Sequence, residues 1–159
     1  SMHDKRYSGS DLPENRAGRS RGAIGRFLWR WLPPLVWMGL IYFFSAQPDL
    51  PRAPGPWLDT VIKKGGHALS YGVLTCLYRR ALRPHIRDSR TLRIVCVGLS
   101  VAYALSDEYH QTFVPGRNGN LFDVAVDGIG ACAAMLLERW LARRRSLSGA
   151  DPQQVSAAQ

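Results

Sequence analysis

"RIVCVGLSVAYALSDEYHQTF" (residues 93–113) decides how the chain is read. Its first half is almost pure apolar helix former. Its second half holds two acids, a histidine and a glutamine. At about 20 residues it is long enough to cross a bilayer as a helix. An apolar helix ending in ionisable groups needs partners for them at the same depth, supplied by the other segments of the chain.

Three further apolar stretches stand out: "FLWRWLPPLVWMGLIYFFSA" (27–46), "GGHALSYGVLTCLYRRAL" (65–82) and "FDVAVDGIGACAAMLLERWL" (122–141). The first carries Trp29, Trp31, Trp37 and Tyr42, residue types that favour membrane interfaces. Its Pro33-Pro34 pair predicts a kink or the true start of that helix. The segments are separated by a Pro-rich loop, a basic loop and the turn-rich "VPGRNGN". Residues 1–26 and 146–159 lack a periodic apolar face and read as disordered tails. The expected fold is therefore all-α: a polytopic four-transmembrane-helix bundle over residues 27–145.

The chain has 159 residues and a net charge of +9. With four spans, its basic residues sort by side. Arg26, Arg30 and their upstream neighbours, then Arg79 to Arg93, then Arg139 to Arg145 share one face. Only Arg52, Lys63, Lys64 and Arg117 fall on the other. This is the asymmetry of the positive-inside rule and predicts cytoplasmic N and C termini in a multi-pass cell-membrane protein. A nucleic-acid binder has no reason to place arginines at alternate ends of apolar segments, so no nucleic-acid partner is expected. Cys76, Cys96 and Cys132 each sit in an apolar run without metal-ligand spacing, and read as buried, inert thiols.

The same topology gathers polar residues at the extracytoplasmic side. Lys63, His67 and Tyr71 recur every four residues, as do Tyr103, Asp107 and Gln111, and then Asp123 and Asp127. Ionisable residues on membrane helices face inward, paired or hydrated, so these stripes predict a polar pocket opening outward. His67, Asp107 and Glu108 are the candidate catalytic groups, with His67 as acid or base and a carboxylate to orient it. Lys63, Lys64, Tyr71, Gln111, Arg117, Asp123 and Asp127 are the candidate substrate-binding groups, with the cations suited to a phosphate or carboxylate. Phe113, Val114 and Pro115 predict an apolar lid, whereas His110, without a periodic partner, reads as a surface residue. Carboxylates of this kind also suit a divalent cation, but no dense ligand motif such as HExxH is present, so no metal is assigned and the cofactor stays unknown. A competing reading makes the charged residues structural clamps in a non-catalytic membrane scaffold or partner-binding module.

"FFSAQP" (43–48), "KxxHxxxYxxL" (64–74), "SDExxQxFxPGR" (106–117) and "DxxxDxxG" (123–130) together resemble the VanZ-like family. The order, spacing and four-span layout agree over about residues 30–140. One departure is Asp127, where the family usually has Asn. The resemblance implies an integral membrane protein, and a namesake linked to low-level resistance to the glycopeptide teicoplanin. It supplies no settled reaction. The expected partners are membrane lipids, with a lipid-linked envelope precursor or an amphiphilic glycopeptide as ligand.

Overall fold

The computed structural model describes residues 13–47, 54–115 and 119–148. These form four helices: α1 (Pro13–Ser45), α2 (Pro56–Leu82), α3 (Ser89–Gln111) and α4 (Leu121–Ser148), with no strand among the described residues. The expected all-α architecture is what the chain adopts. The boundaries differ from the expected ones. α1 starts at Pro13, so the segment 13–26 is helical rather than a disordered tail, and α4 continues three residues past 145. Glu, Arg and Ala in 13–26 are good helix formers that prolong an existing helix at little cost, since propagation is far cheaper than nucleation. α1 also runs straight through Pro33 and Pro34 without restarting, with Pro34 fully buried.

Local chemistry sets the other ends. Gly55 adopts φ +92° and turns the chain into Pro56, whose fixed φ suits the first helical position. Asp88 caps α3: its carboxylate accepts the Thr91 backbone N–H at 2.7 Å. Hydrogen bonding to Thr91 holds the Asp88 carboxyl below the usual carboxylate range.

Side-chain contacts fix the topology. Trp37 donates to the Ser70 carbonyl while Arg80 lies over Trp29, so α1 and α2 run antiparallel. Tyr71 meets Asp107 and Thr75 meets Ser100, so α2 and α3 are antiparallel too. Lys64 pairs with Asp123 and Arg79 with Glu138, which makes α2 and α4 parallel. The bundle is thus up-down-up-down, with the α1–α2 and α3–α4 connections at one end.

α2 and α4 make the most extensive pairing, and α1 is the most lightly held. The α2–α4 pairing depends on two glycines. A Cβ on Gly130 would overlap the Ala68 backbone, and one on Gly72 would sit 3.2 Å from the Gly130 carbonyl oxygen. Small residues at such a crossing let two backbones touch.

The core is a column of Ile41, Tyr71, Leu74, Tyr78, Leu92, Cys96 and Ala104. Outside it, large apolar side chains are exposed on every helix, including Trp29 (72%), Leu69 (71%), Ile94 (63%) and Ile129 (68%). Among the described residues, one helical stretch, Ile24–Ser45, is long and apolar enough to cross a membrane. The expectation of three buried thiols is corrected: Cys96 is buried, but Cys76 and Cys132 are exposed. Both lie on outward helix faces, where an apolar flank in sequence says nothing about which side is covered.

Candidate functional site

The polar residues meet at the end of the bundle that carries the α1–α2 and α3–α4 connections. Asp107, Glu108, Gln111 and Asp127 are all buried, and so is Ser45 at the end of α1. Burying this much polarity is tolerated only when partners are supplied. Most of them are. Asp107 Oδ2 accepts from the Tyr71 hydroxyl at 3.4 Å and from Gln111 Nε2 at 3.3 Å. Gln111 Nε2 also donates to Ser45 Oγ at 2.5 Å, tying α3 to α1. Glu108 Oε1 accepts the backbone N–H of Asn120, tying the residue before α4 to the end of α3. Lys64 Nζ is paired with Asp123 Oδ1 and lies 4.8 Å from the centre of the Phe122 ring.

Among the described residues, two buried side-chain atoms have no hydrogen-bond partner. Asp107 Oδ1 and Asp127 Oδ1 are buried and accept no hydrogen bond. His67 Nδ1 approaches Asp127 Oδ1 to 3.9 Å, beyond hydrogen-bond reach. The His67 side chain is 32% exposed, so it stands at the rim while Asp127 lies beneath it. Orphaned buried acceptors are rare and need an explanation.

The structure brings Lys64, His67, Tyr71, Asp107, Glu108, Gln111, Asp123 and Asp127 into this one cluster. Lys63 stands apart from it: its ammonium pairs with Asp59 one turn earlier on α2, at 2.7 Å. Helix phase explains this. At about 100° per residue, Lys64 lies two turns before Tyr71 and shares its face, while Lys63 is rotated away by about 80°. Arg117 lies outside the described residues. Among the described residues, no group of three His, Cys, Asp or Glu side chains has the arrangement to hold a metal ion.

The expected lid is not formed by Phe113, which is 67% exposed and stacks edge-on against Tyr109 at 5.2 Å. Both rings sit on the outer surface, because the turn after Gln111 carries Phe113 away from the inward stripe. His110 stays partly exposed, as expected of a surface residue, and it has a partner there. Its ring lies 4.3 Å from that of Tyr42, and its Nδ1 is 3.4 Å from the Tyr42 hydroxyl. Its partner is on another helix, where spacing within α3 cannot reveal it.

Sequence reasoning also missed Ser45 and Asn120. Ser45 sits inside "FFSAQP", a buried hydroxyl at the end of an apolar run, and that placement was the available signal. Asn120 acts through its backbone, for which side-chain patterning holds no signal.

No curated protein and no solved structure matches the chain. The family model described as VanZ/LLP1 matches residues 27–142, which take in every residue of the cluster. That match spans well over half of the sequence, and the chain therefore belongs to the VanZ/LLP1 family.

Proposed function

We propose that the chain is a four-span membrane protein, with both termini cytoplasmic, whose buried polar cluster binds the head group of a lipid-linked or otherwise amphiphilic cell-envelope molecule. The observation that carries this reading is its inverted polarity. Four ionisable or amide side chains, Asp107, Glu108, Gln111 and Asp127, are buried, while tryptophan, leucine and isoleucine cover the outside of all four helices. Apolar surface this continuous marks contact with lipid or protein. In a bilayer it is solvated by acyl chains, and the ionisable groups face inward as the medium requires.

Helix lengths of 33, 27, 23 and 28 residues all exceed the about 20 needed to span. α2, α3 and α4 carry the cluster at one end and arginines at the other, which lowers their apolarity without shortening them. The arginine-rich end favours the cytoplasm, so the cluster belongs to the outer side.

Lys64 is the cation of the cluster suited to an anionic part of the ligand. A lipid-linked envelope precursor and an amphiphilic glycopeptide both have the required shape, and a role in teicoplanin resistance belongs to this reading. The half-exposed His67 beside Asp127 favours a second reading in which the pair performs acid–base chemistry on the bound head group. Asp107 and Glu108 serve positioning better than proton transfer, because each already holds a neighbouring helix or loop.

Thiol labelling tests the topology. With the three native cysteines replaced, a cysteine at Pro115 is expected to react with an impermeant reagent in intact cells, and one at Arg87 is expected to stay unlabelled. The reverse pattern would overturn the orientation. Lipidomic analysis of the purified protein tests the site: one amphiphile class is expected above its bulk share, and Gln111→Leu should lower its retention at least fivefold. Retention at bulk composition would remove the binding reading.

A further inference from the structure

We propose that the cluster selects a head group bearing a primary ammonium, taken by the unpartnered Asp107 Oδ1 and Asp127 Oδ1. This rests on the reading of the cluster as a head-group site, and names what enters it.

The charges come first. The described cluster holds Asp107, Glu108, Asp123 and Asp127 against one lysine, Lys64, with His67 at the rim. Asp123 is answered by Lys64, and Glu108 Oε1 by the Asn120 N–H. Asp107 and Asp127 are left in excess, each 3% exposed and each with an oxygen that accepts nothing. Both face the same stripe of α2: Tyr71 meets Asp107, and His67, one turn before Tyr71, approaches Asp127. An anion would be repelled from this place. A neutral acceptor would leave both oxygens as they are.

The hydrogen-bonding requirement narrows the ligand further. Both vacant atoms are acceptors, so the incoming group must donate. A quaternary ammonium carries the charge but no N–H. A primary ammonium carries the charge and three donors, enough for both oxygens and one more acceptor. The family of carboxylates also gives no converging set of three ligands for a metal among the described residues. Lys64 stands about two turns from Tyr71 on the same face of α2, placed for a phosphate joined to that ammonium by a short linker. The ligand class is thus a zwitterionic amphiphile with a phosphate and a primary amine.

Two lipids of equal charge separate the possibilities. The full chain, purified in detergent, is mixed with equal amounts of phosphatidylethanolamine, phosphatidylcholine and phosphatidylglycerol and examined by native mass spectrometry. The expected result is at least tenfold greater occupancy by phosphatidylethanolamine than by either of the others. The Asp107→Asn, Asp127→Asn double variant should lose that preference, and Asp127→Asn alone should reduce it if the double variant does not fold. Equal occupancy by phosphatidylethanolamine and phosphatidylcholine would overturn the donor requirement while leaving a head-group site. A preference that survives in the folded variants would move the site away from these carboxylates. No lipid bound above background would remove both this inference and the reading it rests on. Thermal stabilisation by soluble phosphoethanolamine equal to that by the lipid would overturn the amphiphile as source.

Discussion

Gly130→Leu is expected to abolish the folded bundle. The new Cβ alone would overlap the Ala68 backbone, and a backbone cannot swing aside as a side chain can. α2 and α4 would have to separate along the bundle's most extensive pairing. The loss should exceed the about 1–3 kcal/mol typical of an overpacked core. Gly130→Ala carries the same overlap and should lower the melting temperature in detergent by about 10 °C or more, at the about 2–4 °C per kcal/mol of a chain this size. Gly98→Ala is the control. Nothing lies within 4 Å of its Cβ, so it should be neutral or stabilise by up to about 1 kcal/mol, the helix advantage of Ala over Gly. Equal damage from Gly98→Ala and Gly130→Ala would show that the contact is not what matters.

The second large effect separates stability from function. Asp127→Asn replaces a buried carboxylate whose Oδ1 has no partner by an amide of the same shape. Removing an uncompensated buried charge favours the folded state, so the melting temperature should hold or rise. Ligand retention should fall at least tenfold. Tyr71→Phe should do the opposite. It deletes the O–H that meets Asp107 Oδ2 in a fully buried setting, which costs about 1–3 kcal/mol when the acceptor is left stranded. Parallel changes in stability and retention in both variants would reduce the cluster to a clamp.

Much of this arrangement is legible from spacing alone. His67, Tyr71, Asp107, Gln111, Asp123 and Asp127 announce themselves because polar residues three or four apart on apolar helices have one place to go. Spacing fails where phase is ambiguous between neighbours. Lys63 and Lys64 both fit a stripe with His67, and only the position of Tyr71 on the finished helix chooses Lys64. It fails again for contacts between helices, such as Tyr42 with His110 and Gln111 with Ser45, because periodicity within one segment contains no information about the next. The early start of α1 was hidden for a different reason. A charged, glycine-containing stretch has no apolar face to mark it as helix, yet it continues one whose nucleus already exists.

The parallel pairing of α2 with α4 has a consequence for how the protein is made. A ribosome releases α2 long before α4, with α3 between them. Until residues 121–130 emerge, Lys64 lacks Asp123 and His67 lacks Asp127, and the face around Gly72 has no helix to receive it. On the four-span reading proposed above, the nascent chain would pass through a stage with three helices inserted and the polar groups of α2 not yet covered by α4. On that reading, completion of the last helix, rather than insertion of the first, is the event that closes the polar cluster.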